Sequence, residues 1–207
     1  MDIILKYFPE LNPVQIDRYR KLESLYQDWN NKINVLSRKD MDQLYERHVL
    51  HSLSIARFHS FTDNTQILDV GTGGGFPGIP LAIFFPACKF TLVDSIGKKI
   101  KVVNGVIEAL ELDNTIALQA RAETLPGKYH FIVSRAVTAM PKFLPWVKNR
   151  FRKDQNGKLK NGIIALKGGD LIEELKPFHK KTRIIDLNDY FEEEFFDTKR
   201  IVYLPAY

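Results

Sequence analysis

Several features that would take the chain outside an ordinary globular fold are absent. A single cysteine, Cys88, in 207 residues excludes an internal disulfide and points to a reducing cytoplasmic compartment. No apolar run approaches the ~20 residues needed to span a bilayer. The start, Met1 to Pro9, carries an early acid and too short an apolar stretch for a signal peptide, so no membrane association is expected. Arg47, His48 and His51 form a small polar group with no cysteine or acid pair beside it, a poor basis for zinc. There is no internal repeat. The net charge of +5 and pI near 9.2 permit a polyanionic partner without requiring one.

Glycine is not abundant, 12 in all, yet five glycines fall within eight residues at Gly71, Gly73, Gly74, Gly75 and Gly78. The apolar run Ile67 to Val70, broken by Asp69, reads as a buried strand before them. The run Ile79 to Phe85 reads as a helix after them. Strand, glycine turn, helix is how an α/β sheet presents backbone to a ligand. Gly73-x-Gly75-x-x-Gly78 fits the dinucleotide fingerprint, a weak signal alone. About one βα unit later, Phe90 to Asp94 is a second strand ending in an acid suited to ribose hydroxyls. Asp69 separates two cofactor classes. A carboxylate under the turn penalises a pyrophosphate and suits the cationic S-adenosylmethionine, while the competing reading makes it a cap of the turn.

Asn12 and Pro13 start a helix predicted over 12–36, and a second is predicted from about Asp40 to Phe58. Strands are expected near 67–70, 89–93, 115–119, 129–134 and 161–166, with helices near 78–85, 96–111, 140–151 and 170–176. The runs 182–187 and 199–204 close as a hairpin, with the last strand antiparallel. The expectation is an α/β fold of class I methyltransferase type: a Rossmann-like, mostly parallel seven-stranded sheet. An N-terminal helical extension (1–60) packs on that domain (61–207). Arg152 to Gly162 should be an exposed basic turn.

On such a sheet the ligand lies beyond the strand carboxyl ends. Those ends carry Asp69 with Gly71, Gly73, Gly75 and Phe76, then Asp94 and Ser95, then Ala122 and Glu123; these are the candidate cofactor residues. Phe76 is expected to form an apolar wall. Arg135 and Lys167, ending later strands, are the candidate cations that position the substrate, although a strand-end lysine is commonly just solvated. Cys88 precedes the second strand, at the wrong end of the sheet for a nucleophile that attacks a pyrimidine ring. The turn Ser134 to Val137 lacks the Asn/Asp-Pro-Pro-aromatic sequence usual for methylation of exocyclic amines. A ring nitrogen with a free lone pair, such as guanine N7, needs neither device. Basic clusters at Lys98–Lys101, Lys148–Lys160 and Lys176–Arg183 suit RNA phosphates when taken together.

Leu68-Asp-Val-Gly-Thr-Gly-Gly-Gly-Phe-Pro-Gly-Ile-Pro-Leu-Ala82 resembles the small-subunit ribosomal RNA guanine-N7 methyltransferase G family. Trp29-Asn30 through Asn34, Val93-Asp-Ser95 with Lys98-Lys99, Arg121-Ala-Glu123, Ser134-Arg-Ala136 and Leu166-Lys-Gly168 follow in family order. The resemblance implies cofactor contacts at Gly71, Phe76, Ala122, Glu123 and Arg135. It also implies methylation of one guanine at N7 in small-subunit (16S) ribosomal RNA with S-adenosylmethionine as methyl donor; a monomer is expected, in the cytoplasm that the single cysteine suggests. Two residues depart from the pattern: Val35 replaces the usual leucine, and His51 replaces the acid of His-x-x-Asp-Ser-Leu.

Overall fold

In a computed structural model, residues 1–206 are described, the side chains of Arg38 and Lys39 excepted. Tyr207, the last residue of the expected second segment, lies outside the described residues. After a short helix α1 (Asp2–Tyr7), α2 runs Pro13–Lys32. Asn12 accepts the Gln15 amide while the Gln15 side chain accepts the Asn12 amide, both at 3.0 Å, a reciprocal capping box. The helix stops at Lys32 instead of 36 because Asn30 takes over the backbone beyond it. The Asn30 side chain accepts from the Val35 and Leu36 amides and donates to the Leu36 carbonyl.

The predicted second helix is three pieces: α3 (Arg38–Met41), a π-helical stretch Leu44–Leu50, and α4 (His51–Phe58). Hydrophobic spacing alone does not distinguish 3.6 from wider turns over so short a run. Among the described residues, no helix is long and apolar enough to cross a membrane.

Strand and helix then alternate: β1 (Gln66–Val70), α5 (Gly78–Phe84), β2 (Lys89–Asp94), α6 (Gly97–Ala109), β3 (Thr115–Gln119), β4 (Phe131–Arg135), α7 (Met140–Val147), β5 (Gly162–Gly168) and α8 (Ile172–Leu175). The chain ends in β6 (Arg183–Asp186) and β7 (Lys199–Pro205). The sheet order is β3-β2-β1-β4-β5-β7-β6, with β7 antiparallel to both neighbours and the other pairs parallel. The order reverses between β1 and β4, so a crevice opens at their carboxyl ends.

Period-two alternation splits the strands between two cores. Ile67, Phe131, Val133 and Ile164 face the core built with α1, α2, α4, α5 and α6. Leu68, Val70, Ile132 and Ile163 face the core built with α7 and α8. Residues before 60 (Ile4, Tyr19, Leu22, Leu53) are fully buried in the first of these clusters, together with sheet residues. Gln15 adds a polar tie, donating to the Ile83 and Phe84 carbonyls at the end of α5. The basic turn after Arg152 is exposed but anchored, since Asn161 donates to the Arg152 and Asp154 carbonyls.

Candidate active site

The glycine turn is tied down from several directions. The amides of Gly71 and Thr72 donate to the Val93 carbonyl, and those of Gly75 and Phe76 to the Thr72 carbonyl. Gly73 donates to Asp94 Oδ2 at 3.1 Å, and the Tyr26 hydroxyl holds the Gly74 carbonyl from α2. Gly71 sits at φ +68°, where an added Cβ would meet Val137 Cγ2 at 2.6 Å, so only glycine fits beside the loop after β4.

Asp69 is fully buried beneath this turn. Its Oδ2 accepts from the Thr72 hydroxyl at 2.6 Å and from the Gly78 amide at 2.9 Å, which caps α5. Ile79 donates to the Gly75 carbonyl, and Pro80 has no amide hydrogen. No N–H of the first turn of α5 is left for a phosphate. Burial raises the Asp69 carboxyl to about 7, against the lowering effect of its two hydrogen-bond donors. The turn therefore does disfavour a pyrophosphate, but as a filled helix end. The expectation that Asp69 faces the ligand is corrected: strand alternation turns it to the α5 side, and it does not line the cavity.

That cavity, about 470 Å³, opens at the carboxyl ends of β1 to β4, within the range of roughly 300–1,000 Å³ common for small-molecule sites. Val70 and Gly71 come from β1, Asp94 and Ser95 from β2, Arg121, Ala122 and Glu123 follow β3, and Ala136 and Val137 follow β4. Trp146 of α7 and Lys99 of α6 complete it. Asp94 also accepts the Ile96 amide at 2.9 Å, and Lys99 approaches it to 3.9 Å. The Arg150 guanidinium donates to the Glu123 and Leu125 carbonyls and so steadies the turn that carries Glu123. Ala136 holds φ +53°, a left-handed conformation that costs a non-glycine residue about 1 kcal/mol or more. Larger hollows at the amino ends of β1 to β3 and beside α8 lack both the glycine turn and the strand-end acids.

Of the ten candidate cofactor residues, Gly71, Asp94, Ser95, Ala122 and Glu123 line this cavity; Asp69, Gly73, Gly75, Phe76 and Arg135 do not. Phe76 is turned into the first core, its ring 5.0 Å from both Tyr26 and His48. Arg135 shares that face. Its guanidinium donates to the Arg47 carbonyl at 3.0 Å and to His48 Nδ1 at 2.8 Å, and lies 5.1 Å from the Phe76 ring centre. An arginine can only donate, so His48 carries its proton on Nε2. Burial pulls Arg135 down to about 10 and His48 to about 3. Arg135 thus joins β4 to the π-helical stretch.

Lys167 is also redirected. Its ammonium is 2.9 Å from Glu174 Oε1 and donates to the Thr138 carbonyl, and Glu174 also accepts the Met140 amide. That makes it a strut under the loop after β4; the reading as a cation open to substrate is corrected. His51, at the departure from the family acid, is buried edge-on to Phe195 and Phe196, and burial holds it well below the usual histidine range. Trp146 and Val137 escaped the sequence reading. The only signal for Trp146 was a tryptophan on the helix that follows a ligand-bearing strand end.

The model of the family described as rRNA small subunit methyltransferase G matches residues 15–202. Ribosomal RNA small subunit methyltransferase G of Flavobacterium johnsoniae is 60% identical over 205 residues, covering 99% of this chain and 98% of that protein. The protein of the same name from Cytophaga hutchinsonii is 56% identical over 207 residues, the whole of both chains. Among solved structures, a SAM-dependent methyltransferase from Aquifex aeolicus superposes with a TM-score of 0.58 at 15% identity, covering 82% of this chain and 98% of that one. The ribosomal protein L11 methylase of Lactobacillus delbrueckii subsp. bulgaricus gives 0.57 at 13% identity, covering 76% and 77%. The fold is therefore that of class I methyltransferases, and by sequence the chain belongs to the rRNA small subunit methyltransferase G family.

Proposed function

We propose that this chain is an S-adenosylmethionine-dependent methyltransferase that methylates N7 of a guanine in 16S ribosomal RNA, as a cytoplasmic monomer. The observation that carries the reading is the cavity at the carboxyl ends of β1 to β4, with apolar walls and an acid from β2 and from the turn after β3, beside a helix end already filled by Asp69. A nucleoside with a cationic tail suits those residues. Asp94 stands at the ribose position, and Ala122, Val137 and Trp146 offer flat or apolar surface for a base. Gly71 lets the ligand approach bare backbone.

The methyl donor supplies an electrophilic methyl on sulfur, which the guanine N7 lone pair takes as the carbon–sulfur bond breaks. N7 carries no proton to remove, so the chain's residues need only hold the reactants in line and exclude water. Membership of the family supports the RNA substrate. A nicotinamide oxidoreductase is the rival reading, and it fits the closed end of α5 poorly.

Purified protein should bind S-adenosylhomocysteine in the micromolar range and not bind NADH. It should transfer label from tritiated S-adenosylmethionine to small-subunit rRNA, at a site that chemical cleavage identifies as N7-methylguanine. Tight NADH binding overturns the cofactor assignment, and cofactor binding without transfer to any guanine points to an RNA-binding module.

A further inference from the structure

A second hollow adjoins the cofactor cavity, between the end of α2 and the start of α6. It encloses about 560 Å³, and its ionisable lining residues are Lys32, Lys98, Lys99 and Lys101, with Ile33, Asn34 and Ile96 between them. Lys99 lines both hollows. No carboxylate among the described residues lines this one. Among the described residues, Lys99 alone of the four has an acid within 4 Å, Asp94 at 3.9 Å. The cations come from segments more than sixty residues apart, and the fold holds them together: Trp29 packs so closely over α6 that a Cβ on Gly105 would fall 2.2 Å from its ring, and the Lys32 ammonium lies 5.3 Å from that ring's centre. A solvated lysine face is normally interleaved with acids. Four lysines lining a concavity without one raise its positive potential, which an anion among them would offset. Ile96, 48% exposed, and Ile33 add apolar surface for sugar or base.

We infer that this groove holds the phosphates of the RNA strand flanking the guanine that is presented to the methyl donor. The inference rests on the proposed RNA methylation. The groove lies on the rim where β2 ends and opens directly beside the cofactor cavity. The lysines Lys153, Lys158 and Lys160 lie instead around the start of β5, at the other end of the sheet from the cavity.

Two variants of equal charge loss separate local from global electrostatics. One combines Lys32→Ala, Lys98→Ala and Lys101→Ala; the other combines Lys153→Ala, Lys158→Ala and Lys160→Ala. All six side chains are exposed, so both proteins should fold. With 16S rRNA and tritiated S-adenosylmethionine, the groove variant should raise KM for RNA about tenfold or more, while S-adenosylhomocysteine affinity stays within twofold. The slope of log affinity against log salt should fall by about 2. The control variant should shift KM by less than threefold, and arginine at the three groove positions should restore the affinity. Equal effects of the two variants, or no change in the groove variant, overturn the inference while leaving the methylation reading in place. Absence of methyl transfer by the unmodified protein ends both.

Discussion

Replacing Asp69 with asparagine separates a buried cap from a charge that meets the ligand. Asparagine keeps an oxygen to accept the Gly78 amide and the Thr72 hydroxyl, so both buried donors stay satisfied. What it removes is the ionisation. The folded protein holds the Asp69 proton up to about pH 7, whereas an unfolded aspartate releases it near pH 4. A carboxyl with a raised folded value adds stability that is complete at low pH and is lost as pH rises towards 7. Across that interval the wild type should lose up to about 4 kcal/mol relative to Asp69→Asn. The buried histidines act in the opposite direction: burial lowers His48 and His51, so their contribution is lost as pH falls below their ordinary value. Total stability therefore hides the Asp69 effect, and the difference between the two proteins reveals it.

Urea denaturation at pH 4.5 to 8 should give a wild-type-minus-variant difference that declines with pH and flattens above about 7.5. Cofactor affinity of Asp69→Asn should stay within about threefold of wild type, because the carboxylate lies off the cavity wall. Parallel stability curves would falsify the assignment of a neutral buried carboxyl. A tenfold loss of cofactor affinity in a stable variant would return Asp69 to the ligand.

Other outcomes follow from the same contacts. Gly71→Ala must adopt φ near +68° and press on Val137, so it should cost about 1–3 kcal/mol in denaturation and weaken S-adenosylhomocysteine binding by calorimetry. Lys167→Met and Glu174→Gln should each destabilise by about 1–3 kcal/mol, with a double-mutant coupling above 0.5 kcal/mol and no change in the salt slope of RNA binding. Trp146 lines the cavity and Trp29 packs on α6, so in Trp29→Phe the remaining fluorescence should change on S-adenosylhomocysteine addition, and an unresponsive signal would remove Trp146 from the wall. Histidine NMR should find His48 neutral at pH 5 and protonated on Nε2, with His51 titrating below the usual histidine range.

The periodic features were legible because they are local. Alternating strands and helices, the capping pair Asn12 and Pro13, the glycine turn and the reversed last strand each follow from short-range propensity and patterning. The residues at strand ends were partly legible, and the pleat explains the division. Val70 and Asp69 are neighbours in sequence but point to opposite faces, as do Arg135 and the Ala136–Val137 turn after it. A reading that collects residues at strand ends gathers both faces: Asp69 and Arg135 lie on the side of α5 and the π-helical stretch, whereas Val70 and Val137 line the cavity.

The sequence by itself determined the family, the order of elements and the position of the glycine turn. Only the tertiary structure decided which acids line the cavity, what neutralises Lys167, and that lysines from α2 and α6 share one groove. Those outcomes depend on the packing of segments far apart in the chain, and no local pattern encodes whether Glu174 will lie beneath Lys167 or Trp29 upon Gly105.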